Sequence, residues 1–75
     1  MNNLITVRED TRVMTERDIY IAQSLADGLT VTQIAEASVT NVRTMEARVG
    51  RLRLKTGSKS LCNLVALFFR AGLIK

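Results

Sequence analysis

The chain has 75 residues, 47% of them hydrophobic, with 11 basic and 7 acidic side chains and a net charge of +4. A domain of this size buries about 60% of its unfolded surface, so association with a second copy is a natural means of stabilisation. The single cysteine excludes an intramolecular disulfide, and the lack of histidine argues against a zinc site. The sequence contains neither a nucleophile–base pair nor a glycine-rich phosphate loop, so it gives no indication of an enzyme or of a cofactor.

Residues 1–13 precede the first helical pattern and form a short N-terminal arm. Leu4-Ile5-Thr6-Val7 has the composition of a short strand, and charged residues from Arg8 to Arg12 follow it. Termini of this kind are commonly disordered, and disorder is the expectation for this arm. A strand, or a segment that orders only against a partner, is the alternative.

Thr15 begins the first clear helical pattern. Its hydroxyl is placed to cap the helix, and Asp18 is placed to complete a capping box. The helical spacing predicts a buried stripe of Ile19, Ala22, Leu25 and Ala26, flanked by Tyr20 and Ile21. Asp27-Gly28 ends the helix, because glycine adopts the left-handed conformation that follows many helices.

The stretch from Thr30 to Gly57 has the pattern of two helices joined by a tight turn. Thr30 is a good N-cap for the first helix and Asn41 for the second, with about three residues around Val39 between them. The positions predicted to be buried are Val31, Ile34 and Ala35, followed by Met45, Val49 and Leu52. A packed first helix and a second helix with a free outer face are typical of a helix-turn-helix that enters the DNA major groove.

Basic charge is concentrated around the second of these helices. Residues 41–59 hold six basic side chains and one acid, whereas residues 1–40 hold three arginines and six acids. Such a block is typical of a phosphate-binding face. The alternative is a solvated helix that keeps a small protein soluble. The outer face of this helix carries Arg43, Glu46, Ala47, Gly50, Arg51 and Lys55.

The last helical pattern, capped by Ser58 or Ser60, is apolar on most of its surface. A stripe of Leu61, Leu64, Val65 and Phe68 is sufficient to cover the small core. Surplus apolar side chains on a short helix indicate a partner surface, because the domain is too small to surround them. We therefore expect a dimer interface formed by Cys62, Val65, Ala66 and Phe69. Leu73-Ile74 then fold back onto the domain.

From Met14 to Ile74 the chain resembles the LuxR/GerE-type helix-turn-helix domain, and the alignment needs no gap. The matching segments are Met14-Thr15-Glu16-Arg17-Asp18 to the family's L-T-x-R-E, Ala26-Asp27-Gly28-Leu29-Thr30 to A-x-G-L-S, Ile34-Ala35 to I-A, Thr44-Met45 to T-V, Lys55 and Gly57 to K-L-G, and Ala71-Gly72-Leu73-Ile74 to the closing G-L-I. The resemblance implies an all-α, four-helix DNA-binding domain over residues 14–75 that dimerises through its fourth helix. Without a receiver or ligand-binding domain, the chain is similar to the family's stand-alone members.

Several positions depart from that family's pattern. Ser38 and Thr40 replace a leucine and an isoleucine, which predicts a more polar and looser turn, and Thr56 replaces the leucine of K-L-G. Leu61 replaces an arginine. Glu46 stands where the family commonly has a lysine or arginine. Its carboxylate repels phosphate, but it is able to accept a hydrogen bond from cytosine N4.

Two kinds of DNA contact follow from this comparison and from the charge pattern. The candidate base contacts are Arg43, Glu46, Ala47 and Arg51. The candidate phosphate contacts, through side chains or helix N-terminal amides, are Thr30, Thr32, Gln33, Thr44, Arg48 and Lys55. A solvated arginine is the alternative for Arg43 and a surface cation for Arg48. Arg51 and Arg53 cannot both face one groove.

The leading hypothesis is a homodimeric regulator of transcription that binds double-stranded DNA in the bacterial cytoplasm, at the nucleoid. The cytoplasmic location follows from the lack of a signal peptide and of an apolar run of about 18 residues. The alternative is a protein-interaction module whose apolar last helix pairs with another regulator of the same family. Glu46 and the surplus apolar residues favour this alternative, and the basic block argues against it.

Overall fold

The computed structural model describes residues 14–75, which contain helices and no strand; the predicted arm at residues 1–13 lies outside the described residues. The helices are α1 (Glu16–Ala26), α2 (Val31–Ala37), α3 (Val42–Thr56) and α4 (Leu61–Arg70). The prediction of an all-α protein is thus confirmed for the described part of the chain. Within that part, no helix has the length and apolar character needed to cross a membrane.

Side chains at the predicted N-caps start the helices. Thr15 and Asp18 form the predicted capping box, with both hydrogen bonds at 3.1 Å. Asn41 Oδ1 accepts a hydrogen bond of 2.8 Å from the Thr44 N–H at the start of α3. Of the two serines considered for α4, Ser60 is the cap, since its hydroxyl accepts from the Asn63 N–H at 3.0 Å. These bonds satisfy backbone donors that have no partner within the helix.

The three connections between the helices are four residues each, covering positions 27–30, 38–41 and 57–60. Gly28 takes a positive φ angle of 96° after α1, as the sequence predicts for a helix-ending glycine, and Gly57 takes one of 72° after α3. In the connection between α2 and α3 the positive φ, 53°, belongs to Val39. This side chain is also 95% exposed.

The core confirms the pattern predicted for α3 and most of that for α2, where Val31 is only partly buried. Ile34 and Ala35 are fully buried, and the α3 residues Met45, Val49 and Leu52 are at most 5% exposed. α2 packs mainly on α3, and α1 packs on both α4 and α2. Ala35 of α2 is fully buried, and α2 packs on α3. A larger side chain at this position would push α2 away from the helices that cover it.

The predicted buried stripe of α1 was partly wrong. The buried residues of α1 are Ile21, Ala22 and Ser24, whereas Ala26 is exposed and Ile19 and Leu25 are only partly covered. α2 and α4 both cover α1, so the face centred on Ile21 and Ala22 is the one that turns inward. Ser24 is tolerated there because its hydroxyl donates to the Tyr20 carbonyl oxygen at 2.8 Å.

The two ends of α4 differ in burial. Leu64 and Phe68 are fully buried, but Leu61, predicted for the same stripe, is 37% exposed because it is the first residue of the helix and overhangs the core. After α4 the chain folds back as predicted, and Ile74 joins the core with 4% exposure. The Lys75 N–H fixes this end by donating to Gln23 Oε1 of α1 at 3.0 Å.

Candidate nucleic-acid interface

The outer face of α3 carries all four side chains that the sequence suggests as base contacts. Arg43, Glu46, Ala47 and Arg51 are exposed, and the buried residues Met45, Val49 and Leu52 hold the opposite side of the helix against the core. The helical repeat of 3.6 residues brings positions 43, 46–47 and 51 onto one side. The structure therefore gathers these residues on one continuous solvent-facing surface, which we call the α3 outer face.

The candidate phosphate contacts on α2 lie at its start. Thr30 and Gln33 form a second capping box, in which Gln33 N–H donates to Thr30 Oγ1 at 3.1 Å and Thr30 N–H donates to Gln33 Oε1 at 2.9 Å. Each of these side chains keeps a donor, the hydroxyl hydrogen of Thr30 and the amide nitrogen of Gln33, for an external acceptor. Thr32 beside them is exposed.

The remaining phosphate candidates lie along α3. Thr44 is half-buried next to the Asn41 cap, and Arg48 is half-buried near the middle of the helix. Lys55 forms an ion pair of 3.3 Å with Asp18 of α1, and the two side chains are 29% and 17% exposed. The Asp18 carboxylate compensates part of the Lys55 charge, so Lys55 is less suited than Arg48 to attract a phosphate.

Arg53 has a structural role that the sequence analysis did not assign to it. Its Nη2 donates to the Lys59 carbonyl oxygen at 2.9 Å and so joins the end of α3 to the connection before α4. Thr56 supports the same region, donating from Oγ1 to the Leu52 carbonyl oxygen at 2.9 Å, with Ser58 Oγ at 2.7 Å. Arg51 stays exposed, so the two arginines point to different surroundings, as their spacing predicts.

The connection between α2 and α3 is polar, as expected from Ser38 and Thr40, but it is well bonded. The Thr40 N–H donates to the Ala35 carbonyl oxygen at 2.9 Å, and Thr40 Oγ1 donates to the Ser38 carbonyl oxygen at 3.1 Å. These bonds fix the turn that sets α3 relative to α2. The expectation of a looser turn is therefore not supported by its hydrogen bonding.

The predicted dimer residues share one face of α4. Cys62 and Phe69 are exposed, Phe69 by 62%, and Val65 and Ala66 between them are half-buried. Cys62 and Val65 also line an apolar depression of about 370 Å³ together with Leu25. Cys62, Val65, Ala66 and the exposed Phe69 together form an apolar surface on this helix, which we call the α4 face.

Comparison of the chain with protein-family models, with curated proteins and with solved structures gives no match. The chain presents two distinct surfaces, the polar and basic α3 outer face and the apolar α4 face. They lie on different helices and share no side chain.

Proposed function

We propose that this protein is a homodimeric, sequence-specific DNA-binding regulator of transcription with the LuxR/GerE-type fold, and that α3 enters the major groove. The observation that carries the proposal is the exposure of Arg43, Glu46, Ala47 and Arg51 on the α3 outer face. At 1.5 Å per residue, positions 43 to 51 extend about 12 Å along the helix, the length of three to four stacked base pairs.

Each side chain on this face has a partner in the major groove that suits its chemistry. The guanidinium of Arg43 matches the O6 and N7 acceptors of guanine, and the carboxylate of Glu46 accepts from the N4 amino group of cytosine. The methyl group of Ala47 is able to contact the methyl group of thymine. Base contacts of this kind provide sequence specificity, whereas phosphate contacts position the helix.

The phosphate contacts would come from the two ends of the helix pair. Thr30, Thr32 and Gln33 stand at the start of α2, and Thr44 and Arg48 stand on α3. Because α2 packs directly on α3, the positions of these two groups relative to each other are fixed. A DNA backbone that passes α2 would thus orient α3 in the groove.

Self-association through the α4 face completes the proposal. Two copies related by a twofold axis would present two α3 helices about 34 Å apart to a pseudo-palindromic site. The exposed Phe69 is the side chain that gains most from such pairing, since aromatic residues contribute strongly to the centre of interfaces.

Fluorescence anisotropy with labelled random-sequence duplex DNA tests the DNA-binding part of the proposal. We expect micromolar binding at low salt and a steep loss of affinity as the salt concentration rises, because counterions are released from the phosphates. Arg43→Ala should reduce affinity. Arg70→Ala, which removes the same charge from an exposed position at the end of α4, should leave it unchanged.

Two results would contradict DNA binding by this face. The first is the absence of binding by the wild-type protein at low salt. The second is an equal effect of the Arg43 and Arg70 substitutions, which would mean that net charge and not the α3 outer face determines binding.

The exposed α4 face supports a second candidate function, a module that pairs with another regulator of the same family. Phe69 and Cys62 would then contact the partner regulator instead of a second copy of this chain. A pull-down against full-length regulators of that family distinguishes the two functions. Capture that is lost in Phe69→Glu, combined with no DNA binding, would favour the second candidate.

A further inference from the structure

A small cavity of about 210 Å³ lies between the first turn of α1 and the second half of α3. Four cationic side chains line it: Arg17 from α1, and Arg48, Arg51 and Lys55 from α3. Asp18 contributes the single carboxylate of its lining. The cavity therefore has a large excess of positive charge, and it adds Arg17 to the basic side chains of α3.

The carboxylate of Asp18 already has an ion-pair partner and a hydrogen-bond donor. Its Oδ2 lies 3.3 Å from Lys55 Nζ and accepts a hydrogen bond of 3.1 Å from the Thr15 N–H. Among residues 14–75, no carboxylate lies within ion-pair distance of Arg17, Arg48 or Arg51. Three guanidinium groups thus line one cavity without a compensating carboxylate from this part of the chain, and an anion placed among them would relieve their mutual repulsion.

The size and place of the cavity restrict what the anion is. Its volume is below the range of about 300–1,000 Å³ typical of sites for small-molecule ligands, so it suits a compact group. Guanidinium groups match the oxygens of phosphate through paired hydrogen bonds. Arg51 belongs both to this cavity and to the α3 outer face, so the cavity borders the proposed DNA surface.

We propose that this cavity binds one phosphate group, held by Arg17 together with Arg48 and Arg51. We take the phosphate to be one of the backbone of bound DNA, and this assignment rests on the proposed function. A free phosphate ion has the same chemistry. Arg51 then contacts the DNA backbone, and the base contacts are made by Arg43, Glu46 and Ala47. Arg17 becomes a DNA-binding residue although it lies outside the helix pair α2–α3.

Substitution of Arg17 tests the DNA source. Arg17→Ala should weaken binding to random duplex by roughly fivefold to tenfold at 0.1 M salt and make the salt slope shallower by about one. Arg17→Lys should restore the slope, because counterion release depends on the charge. Arg70→Ala should change neither quantity. Arg17 is exposed in the first turn of α1, and circular dichroism checks that each variant is folded.

A titration with inorganic phosphate at constant ionic strength tests the cavity without DNA. NMR monitors the chemical shifts of the backbone amides around Thr15 and Arg48 during the titration. Saturable shifts in the wild-type protein that disappear in Arg17→Ala support the phosphate site. If these phosphate-dependent shifts occur but Arg17→Ala leaves the salt dependence of DNA binding unchanged, the site binds free phosphate and not the DNA backbone. No saturable shifts and an unchanged slope overturn the inference. A wild-type protein that fails to bind DNA contradicts only the proposed function, because this titration still tests the cavity.

Discussion

The most unusual residue of the described chain is Val39, in the connection between α2 and α3. Its φ angle of 53° is rare for any residue other than glycine and unfavourable for a β-branched one. The side chain is 95% exposed, so no packing compensates for this conformation. The turn holds it in place through the hydrogen bonds of Thr40 to Ala35 and Ser38.

Replacing Val39 with asparagine should stabilise the protein. Asparagine tolerates the left-handed conformation better than valine, so we expect a gain of about 1 kcal/mol and a rise in the melting temperature of roughly 4 °C. Thermal unfolding followed by circular dichroism measures the change. Val39→Ile keeps the β-branch and should bring no gain. Equal melting temperatures for the two variants would mean that the backbone at this position is not strained.

At the residue scale, local chemistry was predictable and tertiary partners were not. Thr15, Thr30 and Asn41 were predicted as caps because a cap depends on the side chain and the next three residues. The bond from Arg53 to the Lys59 carbonyl oxygen and the place of Arg17 in a cavity with Arg48 depend on how separate segments meet. Charge and spacing alone do not contain that information.

Among the elements, α2 depends most on its cap. It has 7 residues, and isolated helices of that length are unstable in water, so its stability comes from packing on α3 and from the Thr30–Gln33 capping box. The sequence predicted its buried residues because the neighbouring patterns fixed its register. For α1 the predicted stripe was partly wrong, since burial from two sides is not visible in one helix's periodicity.

The threonines at positions 30 and 32 provide a matched test of the α2 cap. Thr30→Ala removes the acceptor of the Gln33 N–H and should lower the free energy of unfolding by about 1 kcal/mol. Thr32→Ala changes an exposed position in the first turn of α2 whose side chain makes no capping hydrogen bond, and should be close to neutral. Urea unfolding measures both. An equal decrease in the free energy of unfolding for the two variants would mean that the Thr30 cap does not stabilise α2.

The whole molecule separates its two candidate surfaces. The α3 outer face is polar and basic, and the α4 face is apolar, with Phe69 at 62% exposure. The sequence predicted both faces, since surplus apolar residues and a block of charge are properties of composition. It did not predict the cavity between α1 and α3, because that cavity depends on how the two helices meet, with Asp18 of α1 and Lys55 of α3 paired at 3.3 Å in its lining.

Sedimentation velocity of Phe69→Glu tests the role of the α4 face. If the α4 face forms the proposed dimer, this variant should be monomeric at concentrations at which the wild-type protein sediments as a dimer, because a buried charge without a partner is strongly unfavourable at an interface. Leu54→Glu places the same charge on an 84% exposed leucine of α3 and should leave the dimer intact. A dimer that survives Phe69→Glu, or is lost in Leu54→Glu, would place the interface elsewhere.

The equal, four-residue connections between the helices have a consequence for folding kinetics. Short loops close within about 100 ns, so contacts between successive helices form early and at little cost in chain entropy. The contact between α1 and α4 joins the two ends of the described chain and is the most extensive contact between helices that do not follow one another. Refolding of this domain should therefore be fast, in the microsecond to millisecond range of helical proteins, and the return of α4 to α1 is the step that limits its rate.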